Sequence, residues 1–277
     1  MADRVEIMHG CLIQHGHHND RIYLMKLNPG KIPTIIEHLD EMAARHGYGK
    51  ILAKIPAPAS GLFRAAGYGR EAVIPRWIRG ATDGCFMAKF TSRSRRTAAP
   101  ASDTGQPAPQ TGSQSAARLN RAAKAAQSIA ACTASDAPEM STIFSATFKT
   151  YPFPIRESAY LQQMINAGVQ YYCIRKRGSI AALAAAEIDL ASQNAELTDF
   201  ATIPECRGMG LAGILLLHLE QKSREAGVRT TYTIARAASP AMNYVFRNQG
   251  YKYAGLLLNN TQICGSIESM SVWYKHL

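Results

Sequence analysis

Asn194 to Gly227 reads NAELTDFATIPECRGMGLAGILLLHLEQKSREAG, and this passage decides the fold. From Asn194 to Ile203 polar and apolar residues alternate with the period of a half-buried strand. The spacing predicts Glu196, Thr198, Phe200 and Thr202 on one face and Leu197, Asp199, Ala201 and Ile203 on the other. Pro204 ends the strand. From Leu211 the spacing turns helical, an amphipathic run that Gly227 closes. Arg207-Gly208-Met209-Gly210-Leu211-Ala212 therefore lies where a strand hands over to a helix N-terminus. The small residues Gly208, Gly210 and Ala212 let an anion approach exposed backbone N–H groups, and the helix dipole favours negative charge there. A pyrophosphate suits such a turn, though glycine turns also simply join strands to helices.

Working outward, the C-terminal part predicts a weak strand at 128–132 and a helix capped by Ser135 or Asp136 that runs to Phe148. The loop TYPFPI follows, then a helix over 157–165 and strands over 170–175, 181–190 and 195–203, with a last helix over 242–250. This is an α+β domain around a mixed sheet. Sliding the chain on itself by 183 positions places Phe63-Arg64-Ala65-Ala66-Gly67-Tyr68 on Phe246-Arg247-Asn248-Gln249-Gly250-Tyr251, and Lys50–Ile55 on Thr233–Ala238. Both passages read strand, turn, helix, glycine, strand. Residues 1–90 are therefore expected to form a smaller, degenerate α/β half-domain of the same plan, and 128–277 the principal domain. Between them 91–127 is rich in Ala, Ser, Thr, Gln, Pro and Arg and poor in bulky apolar groups, so a flexible linker is expected, helical at most over 116–126.

Composition limits the function classes. With 277 residues at 47% hydrophobic content the chain can bury a sizeable core, and no apolar run approaches the ~20 residues a membrane-spanning helix needs. The net charge of +11 divides into +4 over 1–90, +5 over 91–127 and +2 over 128–277, so no basic groove for a nucleic acid is expected. The start MADRVEIMHG lacks a signal-peptide core, and the six scattered cysteines fit neither a disulfide framework nor a zinc knuckle; a reducing cytoplasm is expected. His15, His17 and His18 with Asp20 lack a metal-site spacing, so no metal is expected, and Cys206 reads as a packed bystander.

The R-x-x-G-x-A pattern of Arg207, Gly210 and Ala212 resembles the acetyl-CoA signature of the Gcn5-related N-acetyltransferases. The later helix with Asn243 and the Gly250-Tyr251 ending is similar to their second motif. A dinucleotide site would want an acid ~20 residues beyond the turn, where Tyr232 stands. HGHHNDRIYLMKL, TYPFPI, TDFATIPECRG, YTIARA and NNTQICGSIESMSVWYK further resemble the beta-lysine N-acetyltransferases over all but the linker. The resemblance implies that family's fold, a mixed, mostly antiparallel sheet with flanking helices. It also implies acetyl-CoA as cosubstrate, held by Ala201, Thr202, Arg207 to Ala212, Asn243 and Phe246. The acceptor it implies is beta-lysine, made by lysine 2,3-aminomutase and acetylated on its side-chain amine to a compatible solute. A homodimer is entertained, a membrane or nucleic-acid partner is not; another small amine, a protein amine, or a non-catalytic acyl-CoA sensor are the competing readings.

The chemistry asks for a proton acceptor, because an amine of pKa about 10.4 is almost wholly protonated at neutral pH. Glu196, six residues before Thr202, is the expected base; Asp199 is expected to face the other way and to serve substrate binding or catalysis. Arg236 and Glu268 are expected at the substrate carboxylate and ammonium, with an ion pair between them the alternative. The superfamily tyrosine that protonates the leaving thiolate is replaced by Phe246, and Tyr244 is expected about 160° away around the helix. Departure of the thiolate aided by solvent and backbone dipoles is therefore preferred.

Overall fold

The two helices that follow a parallel strand in each half have the same length and the same ending. Ile32–His46 (α1) stops at Gly47 with φ +68°, and Leu211–Glu225 runs to Gly227 with φ +85°. The next residues, Tyr48 and Val228, donate back to Ala43 and Ser223, the hydrogen bond that turns a helix C-terminus into a strand. The computed structural model describes residues 3–97 and 129–277.

The N-terminal half comprises β1 (Arg4–Met8), β2 (Cys11–Gly16), β3 (Arg21–Lys26), α1, β4 (Lys50–Pro56), α2 (Ser60–Ala65), β5 (Gly69–Ile78), β6 (Thr82–Phe90) and the single turn α3 (Arg93–Arg96). The C-terminal half comprises β7 (Ile129–Ala131), α4 (Ala137–Thr147), α5 (Ser158–Asn166), β8 (Gln170–Lys176), β9 (Ser179–Asp189), β10 (Asn194–Thr202), α6 (Leu211–Glu225), β11 (Thr230–Arg236), α7 (Pro240–Asn248), β12 (Lys252–Ile263) and β13 (Ser266–His276). Among the described residues thirteen strands share one sheet in the order β1-β2-β3-β4-β6-β5-β12-β13-β11-β10-β9-β8-β7. Only β3 with β4 and β10 with β11 run parallel. Each half thus repeats one plan, and the equivalent strands β5 and β12 meet at the middle.

The echo is real in three dimensions, with one correction. Phe63 meets Tyr68 edge-on at 5.2 Å and Phe246 meets Tyr251 edge-on at 5.3 Å, each pair beside a glycine of positive φ. Ahead of those helices, however, the offset is 180 rather than 183: Lys50 corresponds to Thr230, because α7, with nine residues, is three longer than the six-residue α2. A comparison without gaps cannot see that insertion.

The halves share more than a sheet. One core lies between α1, α2 and the N-terminal strands, and a second between α6, α7 and the C-terminal strands. A third joins Tyr23, Leu52 and Trp77 of the first half to Phe144, Leu161 and Tyr171 of the second. At the junction Gly255 pairs with Ala72, and a Cβ there would stand 2.2 Å from the Glu71 carbonyl oxygen, so glycine alone permits the approach. Lys50, wholly buried, donates to Glu71 at 2.8 Å and to the Leu258 carbonyl at 2.7 Å, while Glu71 accepts from the Leu258 N–H. Burial presses the Lys50 ammonium down to about 8, with Glu71 opposing.

The expected linker starts later than the composition suggests. Arg95 is 5% exposed, pairs with Asp20, and donates to the carbonyls of Asn19 and Asn259, so Thr91 to Thr97 belong to the folded half. The rest of the linker, with its helical stretch, lies outside the described residues. Among the described residues no helix is long and apolar enough to cross a membrane.

Candidate functional site

A cleft opens where β10 and β11 part. They are paired only from Asn194–Glu196 to Thr230–Tyr232, whereas β10 stays on β9 as far as Thr202. The β11-facing edge of β10 beyond Glu196 is thereby left without a strand partner. A bulge between Thr198 and Ala201 bends the strand there, with Asp199 at φ +56°, a conformation Asp tolerates better than most residues. The bulge also overturns the expected alternation. Leu197 enters the core under α6, but Asp199 and Ala201 turn to the opposite face, so Asp199 lies on the same side as Glu196.

Below the parted strands stands the glycine turn. Gly208 and Gly210 have φ +74° and +80°, and nothing lies within 4 Å of a Cβ built on either. The turn of α6 begins with the Ile214 N–H bonded to the Gly210 carbonyl, and Gly210 brings no capping side chain. The amides of Leu211, Ala212 and Gly213 are therefore free of intrahelical acceptors, at the positive end of the helix dipole and beside the open turn. Open glycines, uncapped amides and an unpaired strand edge together fit an acyl-CoA, whose pyrophosphate and amide-bearing arm need those three things. Thr202 and Arg207 through Ala212 all line the cleft, which encloses about 1250 Å³. Ala201 is buried beneath its floor.

Two residues expected at the cofactor, Asn243 and Phe246, are not among those lining the cleft. Asn243 donates to the carbonyls of Arg236 and Ser239 and accepts from the Trp273 indole, so it fastens the start of α7 to β13. Phe246 is 1% exposed and packs on Phe200 and Tyr251 in the core under α7. Conversely Tyr244, expected to point away, lines the cleft with Ala241, Val245 and Asn248, the i, i+3, i+4, i+7 face of that helix.

Three carboxylates face the cleft. Glu196 sits directly across from Glu187 in the β9–β10 ladder. Burial, then Glu196 and Asp199, push the Glu187 carboxyl up to about 8 against the pull of Lys54; it meets solvent inside the cleft but is ringed by protein. Burial also raises Glu196, but Lys54 and a hydrogen bond from the Tyr232 hydroxyl oppose the rise. Lys54 in turn donates to the Tyr232 oxygen at 2.9 Å, beside Glu196. Asp199 accepts from Tyr151 at 2.6 Å and from Tyr171 at 3.1 Å, so both its oxygens are engaged. Burial and Asp199 hold both phenols well above their ordinary range, as donors.

Arg236 and Glu268, expected to grip substrate, grip each other through two hydrogen bonds of 2.9 and 2.7 Å. His15 meets Tyr48 and Glu6, and His18 and Gln14 reach the carbonyls of Tyr151 and Pro152, so this histidine-rich stretch secures the TYPFPI loop over the cleft. Cys206 is 2% exposed beside the turn. Sequence reasoning missed Glu187, Lys54, Tyr232, Arg21 and Tyr23. Lys54 and Glu187 carry a faint signal, as the charges that interrupt the apolar runs ILAKIP and AALAAAEI.

A sheet parted beside an uncapped glycine turn, with carboxylates lining the cleft at the parting, fits an acyl-CoA-dependent transferase. Residues 137–251 match the Acetyltransferase (GNAT) family. A beta-lysine N(6)-acetyltransferase of Methanococcus maripaludis is 34% identical over 276 residues, 99% of this chain and 98% of its own. One of Methanosarcina mazei is 37% identical over 142 residues, covering 51% of this chain and 52% of its own. N-acetyltransferase YodP of Bacillus subtilis is 28% identical over 272 residues, 96% of each chain. The chain belongs to the GNAT acetyltransferase family and is an acetyl-CoA-dependent N-acetyltransferase.

Proposed function

We propose that this enzyme acetylates the N6 amine of beta-lysine, 3,6-diaminohexanoate, and that N6-acetyl-beta-lysine serves as a compatible solute, with the substrate supplied by a lysine 2,3-aminomutase. The observation that carries the reading is the end-to-end likeness to the Methanococcus maripaludis enzyme of that name. The cleft supports it, since Glu196 stands where an acceptor ammonium can be received and deprotonated.

Acetyl-CoA, when bound, supplies an acetyl group activated as a thioester. The Leu211 to Gly213 amides would hold its pyrophosphate, and the open edge of β10 its amide-bearing arm. Burial raises both carboxyls, Glu187 to about 8, and because Lys54 and Tyr232 oppose the rise at Glu196, Glu196 is the member of the pair that gives up its proton more readily. Glu196 takes the proton that the acceptor ammonium must lose before its nitrogen attacks. Asp199 keeps Tyr151 and Tyr171 fixed on the cleft wall. Tyr244 is the hydroxyl on the α7 wall placed to protonate the departing thiolate, in the role for which Phe246 is unfit.

The test is acetylation of beta-lysine by the purified protein, followed by thiol release and by fragmentation of the product. Thiol release that depends on beta-lysine, with one acetyl group on the distal nitrogen, is expected. Release unaffected by beta-lysine, or product carrying acetyl on the C3 nitrogen, overturns the reading.

A further inference from the structure

Four cations line the cleft, and three have evident duties: Lys54 bonds Tyr232, Arg236 pairs with Glu268, and Arg207 stands at the glycine turn. Arg21 is different. It is 3% exposed, and its three hydrogen bonds all go to neutral oxygens: the Asn260 carbonyl at 2.7 Å, the Thr261 hydroxyl at 3.0 Å and the Gln14 amide at 3.2 Å. Among the described residues no carboxylate pairs with it; the adjacent Asp20 is engaged by Arg95, and Asp3 by Asn19. A guanidinium has five N–H donors, so two are left over: Nε bonds nothing in the protein, and Nη2 has one hydrogen beyond its bond to Gln14. Burial lowers Arg21 to about 10, which leaves it charged at neutral pH.

Tyr23 stands two residues along β3, on the same face, its ring 5.1 Å from the Arg21 guanidinium. Its hydroxyl is also buried without a partner, as is the Asn260 side-chain oxygen beside them. Burying a charge and two polar groups unsatisfied costs stability, and a cleft wall is where such a cost points to a ligand. Tyr23 feels the Glu196 carboxylate, so this wall adjoins the reactive end of the cleft. The cleft therefore has a cation-receptive floor of carboxylates in the C-terminal half and an anion-receptive wall in the N-terminal half.

We infer that Arg21 and Tyr23 bind the carboxylate of the acceptor, so that the N-terminal half selects an amino acid over a plain diamine and directs its far amine to Glu196. The inference rests on the acceptor being beta-lysine or a related diamino acid. It gives the degenerate half a task in the reaction.

The experiment compares kcat/KM for beta-lysine and for 1,4-diaminopentane, which is beta-lysine without its carboxylate. The wild type should prefer beta-lysine by about 10²-fold, the effect of a buried charge-assisted pair. Arg21→Gln should shrink that preference to within about tenfold, chiefly by raising KM for beta-lysine. Because Arg21 also ties β3 to β12, Tyr23→Phe is the second variant; its hydroxyl bonds nothing in the protein, so folding is preserved, and the preference should fall about three- to tenfold. A preference intact in both variants, or a wild type indifferent to the carboxylate, overturns the inference. Lysine with 1,5-diaminopentane and ornithine with 1,4-diaminobutane run alongside. A wild type that favours one of those pairs overturns beta-lysine as the substrate, and the Arg21 ratio measured on that pair then decides the carboxylate site separately.

Discussion

The two halves of the sheet repeat one plan and differ where the chemistry is. Counting back 180 residues from Gly208-Met209-Gly210 gives Asn28-Pro29-Gly30 at the start of α1. There the Asn28 side chain accepts from the Gly30 amide and Pro29 brings no N–H, so the 3-10 turn that leads into α1 has its first amides accounted for, although α1 itself has no side-chain cap at Lys31. In the C-terminal half glycines replace the capping side chain, and the amides remain open. The strands differ likewise: β3 follows β4 through four regular pairs, whereas β10 leaves β11 after three and bulges. By ladder position Tyr23 corresponds to Glu196, and Gln14, opposite Tyr23, corresponds to Glu187. One half keeps the fold and a binding wall; the other gives up a cap, a strand pairing and a neutral ladder pair to make a reaction site.

The largest expected effect falls on that ladder position. Glu196→Gln should lower kcat by about 10² to 10⁴ with little change in KM for acetyl-CoA, and the deficit should shrink at high pH as more free amine is already neutral. Asp199→Asn should cost less, because Asp199 orients two tyrosines, one of which keeps its acceptor in the amide oxygen while the other must turn its hydroxyl to accept from the new NH2. Equal losses in both variants would make the pair a joint base and erase the distinction between ladder and bulge.

Next comes exchange of the turns. Writing the N-terminal sequence into the C-terminal half, Gly208→Asn with Met209→Pro, places a side-chain acceptor on the Gly210 amide and fills the open turn beside the Leu211 to Gly213 amides. Acetyl-CoA affinity, measured by calorimetry, should weaken about 10- to 100-fold, from lost charge-assisted hydrogen bonds, while thermal stability holds. Unchanged affinity in the folded variant would show that the turn is only a connector.

How much of this the sequence reveals follows from range. The turn, α6 and the strand before it are legible because periodicity and glycine act locally. The face of Asp199 is not, since one extra residue in a bulge reverses the alternation that simple counting extends. Asn243 and Phe246 resemble motif positions, but the phase of α7 is set by what covers it, and Trp273 and Phe200 draw both inward. Arg21, Lys54 and Tyr23 lie more than 140 residues from Glu196 in the chain, and no local pattern reports that the halves share a core.

The α7 helix supplies a smaller effect. Phe246 is the counterpart of Phe63, both core aromatics, so Phe246→Tyr should place no acid in the cleft and should not raise kcat. Tyr244→Phe should lower kcat about tenfold, a modest share of the 10² to 10⁴ that acid–base groups supply. A fall in kcat for neither variant would return thiolate protonation to solvent.

The smallest effect is on stability and makes the halves alike at one position. Glu187→Gln gives β9 the residue that β2 carries as Gln14. The folded carboxyl titrates near 8 and an unfolded one near its ordinary 4.5, raised first by burial and then by Glu196 and Asp199, with Lys54 opposing. Between those values the folded state holds a proton that the unfolded state has released, so the native advantage is complete below about 4.5 and drains away as pH rises to about 8. A glutamine never ionises and escapes that loss. The variant should therefore match the wild type at pH 4.5 and melt higher at pH 9. Solvent inside the cleft softens the repulsion, so the gain should be on the order of 2–4 °C by scanning calorimetry. A gain of the same size at both pH values would mean that packing, not charge, separates Glu187 from Gln14. A loss at pH 9 would mean that Lys54 outweighs the two neighbouring carboxylates, and the order of ionisation between Glu187 and Glu196 would then reverse.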